Sequence, residues 1–116
     1  MKFVIKKEDL YNGIKIVENA TGSRALQPVL LNILIETVGK NAIKLVATDL
    51  DLTIMTEVDA QVEEEGKITL PSKTLNEIVS KLGNKLITFE KEADSSIVNI
   101  TATITGLNYN KFINYK

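Results

Sequence analysis

The segment from Leu52 to Val62 alternates between two kinds of side chain without interruption. One side of the alternation carries Leu52, Ile54, Thr56, Val58, Ala60 and Val62, and the intervening residues are Thr, Met, Glu, Asp and Gln. A period of two over this length is typical of a β-strand that buries one face and exposes the other. Strands of this kind occur in antiparallel sheets with one solvated face. The segment therefore favours an antiparallel sheet that is covered on one side.

The remaining pattern predicts two similar runs of elements. Phe3 and Ile5 indicate a short strand, Glu8 and Asp9 open a helix, and two strands follow between residues 29 and 47. Glu63-Glu64-Glu65-Gly66 is predicted to be a solvated turn. A strand from Lys67, a helix capped by Ser72, and strands at residues 86–91 and 97–104 then complete the second run. We predict an α+β fold built from a duplicated β-α-β-β-β unit, with two helices packed on antiparallel sheet and the second copy one strand short. Residues 1–107 are expected to form one domain, and residues 108–116 an irregular tail.

The composition excludes several kinds of chemistry. The 116 residues include no Cys and no His, which excludes disulfides, thiolate nucleophiles, imidazole bases and His-ligated zinc. A net charge of −1 is too small for tight binding of nucleic acid by charge alone. No apolar run approaches the length of a membrane span, and the N-terminus lacks the apolar core of a signal peptide. We expect a single cytoplasmic domain that needs no metal or cofactor.

Four short motifs occur here in the same order as in a known family. They are Met1-Lys2-Phe3 on the first strand, Pro28-Val29-Leu30 before the second, Thr48-Asp49-Leu50-Asp51 between two strands, and Pro71-Ser72-Lys73 at the second helix. Together with the duplicated unit, they resemble the first domain of the bacterial replicative sliding clamp, the beta subunit of DNA polymerase III, which has the DNA-clamp fold. The resemblance is nearly collinear from Met1 to the region of Ile100.

The resemblance implies a processivity factor that is not an enzyme. In the family, each subunit has three such domains, and two subunits close into a ring around duplex DNA with helices lining the hole. The implied partners are duplex DNA, other clamp domains or subunits, the replicative polymerase and the clamp loader. The pocket for client peptides lies in domains that this sequence does not include. A nearly neutral chain suits sliding, because only weak and mobile phosphate contacts are needed.

Four basic residues are candidate DNA contacts by their positions in the resemblance. Arg24, the only Arg of the chain, follows the first helix, and Lys73 opens the second helix. Lys15 and Lys81 are predicted to lie on the polar faces of the two helices. For each Lys, a solvated surface charge is the alternative interpretation.

A second set of residues is predicted to form a subunit interface, because the family's interface runs along the second helix and a neighbouring strand. The set is Lys73, Thr74, Leu75, Ile78, Val98, Ile100 and Ile104, and the last three are expected to share one face of an exposed edge strand. Where the family has one more strand, this sequence runs from Thr101 into a polar segment. The sequence also differs from the family in having no second and third domain. Three explanations stay open for these differences: an expressed fragment, a natural truncation and a frame-shifted tail.

Two other functions are alternatives. The stretch from Leu45 to Thr53 also fits the strand-then-DxDxT pattern of haloacid-dehalogenase-type phosphatases, in which Asp49 would attack the phosphoryl group and Asp51 would act as acid and base beside Mg²⁺. That chemistry requires a parallel sheet, whereas the alternation after Thr53 predicts an antiparallel one. We therefore favour Asp49 and Asp51 as caps of a tight turn. The other alternative is a small interaction module that has the clamp fold but does not encircle DNA.

Overall fold

Nine strands and two helices follow one another in the described part of the chain. The computed structural model describes residues 1–18, 32–48, 52–83, 86–95, 97–104 and 107–114, with side chains described up to residue 102. The elements are β1 (Lys2–Lys6), α1 (Lys7–Glu18), β2 (Asn32–Val38), β3 (Ala42–Thr48), β4 (Thr53–Asp59), β5 (Gln61–Glu64), β6 (Lys67–Pro71), α2 (Ser72–Ser80), β7 (Leu86–Lys91), β8 (Ile97–Ile104) and β9 (Leu107–Asn114). Neither of these helices is long and apolar enough to cross a membrane.

The strands form two antiparallel sheets that exchange their first strands. One sheet has the order β5-β1-β7-β8-β9, and the other has the order β4-β3-β2-β6. Each sheet therefore combines the last three strands of one β-α-β-β-β unit with the first strand of the other unit. The predicted α+β class, with two helices packed on antiparallel sheet in a duplicated unit, is confirmed.

The two units contribute equivalent side chains to one shared core. The pairs Phe3 and Ile68, Ile5 and Leu70, Leu10 and Leu75, Ile14 and Val79, and Val17 and Leu82 have one constant spacing in the sequence, and all ten residues are buried. Ile43, Leu45 and Ala47 on β3 repeat as Val98, Ile100 and Ala102 on β8. All of these side chains belong to a single hydrophobic cluster. Within it, the rings of Phe3 and Phe89 stack at 4.9 Å and join β1 to β7.

The structure corrects four expectations about strands and turns. Leu107–Asn114 is strand β9, which pairs with β8 from Ile104 opposite Leu107 to Ile97 opposite Asn114. The second unit is therefore not one strand short, and the segment up to Asn114 is not an irregular tail. The alternating segment after Leu52 divides at Ala60 into β4 and β5, which belong to different sheets. Glu63 and Glu64 continue β5 instead of forming a turn.

The two helices are joined by a polar contact at one end. Glu18, the last residue of α1, accepts hydrogen bonds at Oε1 from Ser72 Oγ (3.3 Å) and Asn76 Nδ2 (2.6 Å) in the first turns of α2. The end of α1 therefore lies against the beginning of α2. Ser72 is the first residue of α2, and Pro71 occupies the N-cap without a side-chain bond. The prediction that Ser72 caps the helix was wrong, because its hydroxyl bonds across to α1.

Gly13 allows α1 to lie close against the second sheet. A Cβ atom added at Gly13 would lie 2.7 Å from Leu45 Cδ1 and 2.8 Å from Val58 Cγ2. Leu45 is fully buried, so its side chain has little room to move away. The Gly in the middle of this helix is therefore explained by the close approach of β3 and β4.

We predict that Gly13→Ala destabilises the fold. Overpacking of a dense core costs about 1–3 kcal/mol. Replacing Gly by Ala in a helix gains about 1 kcal/mol in helix propensity. Because both clashing atoms lie under 3 Å from the added Cβ, we expect a cost in the upper part of the overpacking range and therefore a net loss of stability. The free energy of unfolding, measured by urea denaturation, should fall. Asn12→Ala, on the exposed side of the same turn, is the matched control and should leave stability unchanged or raise it. A Gly13→Ala chain as stable as the Asn12→Ala chain would contradict the close packing.

Loss of the Glu18 contact should also lower stability. Glu18→Ala leaves Ser72 Oγ and Asn76 Nδ2 without this acceptor, which costs about 1–2 kcal/mol in unfolding free energy. Glu18→Gln keeps an amide oxygen that can accept a hydrogen bond and should lose less. The exposed Glu77→Ala on α2 serves as the control, with an expected change within about 0.5 kcal/mol. Equal effects of Glu18→Ala and Glu77→Ala would show that the contact does not hold the helices together.

Candidate functional site

The exposed sides of α1 and α2 carry three of the four predicted DNA contacts. Lys15 is exposed on α1, and Lys73 is exposed in the first turn of α2. Lys81 is exposed as well, but it is the C-cap residue of α2 and lies just beyond the helix. We refer to the solvent-facing sides of α1 and α2, together with the C-cap residue Lys81, as the helical layer. Arg24 lies outside the described residues.

An aromatic ring on α1 organises two of the lysines. Lys7 Nζ lies 4.8 Å from the centroid of the Tyr11 ring, and Lys15 Nζ lies 5.4 Å from the same centroid. The face of an aromatic ring attracts cations, so Tyr11 holds both ammonium groups near one surface of the helix. Sequence reasoning missed Lys7 and Tyr11. The spacing of four residues between successive members of Lys7, Tyr11 and Lys15 is the signal that could have found them.

The predicted interface residues divide into surface and core. Lys73 is exposed, Thr74 is half-buried, and Ile78 is partly buried against the core. Leu75, Val98 and Ile100 are fully buried, so the expectation that they contact a second subunit directly was wrong. Their side chains point inward because they occupy core positions of α2 and β8. Ile104 lies in β8, and its side chain is outside the described part.

The edge of β8 that was expected to be exposed is covered. Strand β9 pairs with β8 along its length, and β7 pairs with the other side. Because both sides of β8 are hydrogen-bonded, the edge strand at this end of the sheet is β9. A partner that extends the sheet at this end would therefore pair with β9.

The sheet geometry around the DxDxT segment differs from what a phosphatase of that type requires. Strands β3 and β4, which flank Asp49 and Asp51, are antiparallel and in register from Ala42 opposite Asp59 to Thr48 opposite Thr53. Next to the turn, Thr48 Oγ1 donates to the Leu52 carbonyl at 3.1 Å and lies 2.8 Å from Thr53 Oγ1. Asp49 and Asp51 themselves lie outside the described residues. An antiparallel hairpin does not supply the carboxyl ends of parallel strands on which that active site is built.

An open groove between α1 and β4 is acidic. It is lined by Asp9, Asn12, Gly13, Ile16, Thr56, Glu57, Val58 and Asp59. The carboxylates of Asp9, Glu57 and Asp59 disfavour an approaching phosphate group. Across the residues with described positions, no three His, Cys, Asp or Glu side chains lie close enough to hold a metal ion. The groove therefore differs in charge from the lysines of the helical layer.

The outer faces of the sheets pair charges of opposite sign. Lys44 Nζ lies 2.9 Å from Glu36 Oε1 across β2 and β3, and the hydrogen bond from Lys44 holds the pKa of Glu36 below its usual value. On the other sheet, the hydrogen bond to Glu63 raises the pKa of Lys2. These charges are neutralised by their neighbours, whereas Lys7 and Lys15 contact an uncharged ring. The helical layer is therefore the better candidate for contacts with a polyanion.

Comparison with known proteins identifies this architecture. Residues 1–115 match the family model of the DNA polymerase III beta subunit, N-terminal domain. The beta sliding clamp of Synechocystis is 40% identical over 109 residues, which cover 91% of this chain and 28% of the clamp. The beta sliding clamp of Synechococcus elongatus is 45% identical over 85 residues, covering 72% of this chain and 23% of the clamp. The chain thus spans about a quarter of the length of these relatives.

Solved structures agree with the sequence comparison. The chain is similar to a DNA polymerase III beta subunit from Eubacterium rectale with a TM-score of 0.78 and 36% identity, covering 96% of this chain and 29% of that one. The DNA polymerase sliding clamp from Caulobacter crescentus also gives a TM-score of 0.78, with 31% identity and coverage of 98% and 30%. The family match over nearly the whole sequence, together with these structures, shows that the chain belongs to the DNA polymerase III beta subunit family and corresponds to its N-terminal domain.

Proposed function

We propose that this chain serves in a sliding clamp that encircles duplex DNA and tethers the replicative polymerase in the cytoplasm. The observation that carries the proposal is the helical layer, in which Lys15 and Lys73 are exposed and the half-buried Lys7 shares the Tyr11 ring with Lys15. In this role the helices face the DNA, the sheets form the outer wall, and the protein catalyses no reaction. Other clamp domains complete the ring, and the clamp loader and polymerase are its protein partners.

The charge distribution suits sliding. The net charge of the chain is −1, and the helices that carry the exposed lysines also carry the exposed carboxylates of Glu8 and Glu77. A ring retains DNA by topology, so each phosphate contact needs to be only weak and exchangeable. Lysines held over the Tyr11 ring remain free to exchange between phosphates, because the cation–π contact leaves their N–H groups available for hydrogen bonds. Arg24 joins this set by its position in the family.

The contact with a second subunit is assigned to the surface residues of the predicted set. Lys73, Thr74 and Ile78 provide the accessible part of α2, and the backbone of β9 provides the free sheet edge. Leu75, Val98 and Ile100 support this surface from the core. An edge strand with unpaired N–H and C=O groups is a template for pairing with another chain, which suits a ring whose sheet continues between domains.

A domain exchange tests the proposed function. Residues 1–114 of this chain would replace the matching part of the Synechocystis beta sliding clamp, and the chimera would be loaded onto nicked circular DNA. We expect retention on the circle and release after linearisation, as for the unmodified Synechocystis clamp assayed in parallel. A chimera that assembles to the same mass by light scattering, but is not retained on the circle, would refute the proposal.

Charge reversal at Lys15 and Lys73 should weaken binding to DNA. Because Lys73 is also assigned to the subunit contact, light scattering must first show that the variant chimera keeps the mass of the closed ring. In the chimera, Lys15→Glu combined with Lys73→Glu is expected to reduce the slope of log K against log salt by about 0.9 for each phosphate that the protein no longer neutralises. Lys40→Glu, in the exposed turn between β2 and β3, is the control and should leave the slope unchanged. Equal slopes for all three proteins would remove Lys15 and Lys73 from the DNA-facing surface.

A further inference from the structure

Strand β6 has an edge with which no described strand pairs, whereas the equivalent edge of β1 is occupied. β6 (Lys67–Pro71) opens the second unit as β1 opens the first, and each leads directly into a helix. β1 has β7 on one side and β5 on the other, whereas β6 has β2 on one side and no strand of the described residues on the other. The internal symmetry therefore defines a fifth place in the second sheet that no strand of the described residues occupies.

The place beside β1, which β5 occupies, shows which residues such an edge accepts. β5 lies antiparallel to β1, with Val62 opposite Phe3 and Glu64 opposite Lys2. Glu63 Oε2 lies 3.4 Å from Lys2 Nζ, and Glu64 Oε2 lies 3.6 Å from the terminal ammonium of Met1. Val62 is partly buried against the core. The occupant of this place is thus an extended segment with one aliphatic residue followed by acidic residues.

The residues of β6 repeat this acceptor surface. Ile68 stands where Phe3 stands in β1, and the exposed Lys67 stands where Lys2 stands. Lys67 lies opposite Glu36 of β2, which is already paired with Lys44. A carboxylate arriving on the free side of β6 would therefore meet a cation, and an aliphatic side chain would lie next to Ile68.

We propose that the free edge of β6 is a binding site for an extended peptide strand of the pattern polar-aliphatic-acidic-acidic, antiparallel to β6. Main-chain hydrogen bonds to the edge supply the affinity, and the two side-chain positions supply the specificity, as in other cases of strand addition. Pro71 at the end of β6 has no N–H and sets the limit of pairing there. The site is distinct from the helical layer and from the β9 edge, and the proposal does not depend on DNA encirclement.

Hydrogen exchange can test the site with a tethered probe. The sequence Gln-Val-Glu-Glu, identical to β5, is added directly after Lys116, because tethering raises the effective concentration to about the millimolar range. The amides of β6 that do not bond to β2 should then exchange at least about tenfold more slowly than in the unextended chain. The amides of β2 serve as the internal reference. Addition of Gln-Pro-Glu-Glu is the matched control, because Pro removes an N–H donor and disfavours the strand.

Charge variants test the predicted side-chain contact. In the chain that carries Gln-Val-Glu-Glu, Lys67→Glu should reduce the added protection, whereas Lys40→Glu should leave it intact. Equal exchange at β6 with the Val and the Pro extensions would overturn the proposal. Protection of β6 that appears in the unextended chain and grows with protein concentration would also overturn it, because it would assign the edge to a second copy of the chain.

Discussion

The exchange of first strands between the two sheets is the constraint on which the rest of the structure depends. β1 pairs with β7 of the second unit, and β6 pairs with β2 of the first. Phe3 and Phe89 stack across one of these junctions, and Ile33 lies opposite Leu70 at the other. Neither unit can therefore complete a sheet by itself. The single core follows directly, because the inward faces of both sheets are shared between units.

The same exchange fixes the helices. Each helix begins directly after an exchanged strand, so α1 and α2 start from different sheets. The contact of Glu18 with Ser72 and Asn76 joins the end of one helix to the beginning of the other, and a carboxylate is favourable at a helix N-terminus. The outward direction of Lys15 and Lys73 is thus set by core packing. Their charge needs only to be compatible with the function, and the two helices carry Glu8, Asp9, Glu18 and Glu77 besides Lys7, Lys15 and Lys73, in keeping with the net charge of −1.

Much of the fold could be predicted from hydrophobic periodicity. The apolar positions of α1 and α2 and the alternation of β3, β4 and β8 were identified correctly, because buried side chains repeat with the period of the element. β9 was missed because its pairing depends on main-chain hydrogen bonds, which leave no pattern in a segment rich in Asn. The division at Ala60 was missed because the alternation continues across it. Val98 and Ile100 were expected on an exposed face because β8 was predicted to be an edge strand. Their side chains are instead buried in the core, and β9 covers the edge.

The candidate site was less predictable than the fold, because it depends on side-chain rotamers and tertiary packing, which hydrophobic periodicity does not specify. Exposure of Lys15 and Lys73 follows from helix period, but the arrangement of Lys7 and Lys15 around Tyr11 depends on rotamers that the sequence does not specify. The inaccessible position of Leu75 follows from how closely α2 lies on the core, which is likewise a tertiary property. The internal symmetry of the two units gives information about the edge of β6 that hydrophobic periodicity does not give. Because β1 and β6 play the same part in the two units, β5 on β1 shows the chemistry that the edge of β6 can accept, although no residue of β6 alone would indicate it.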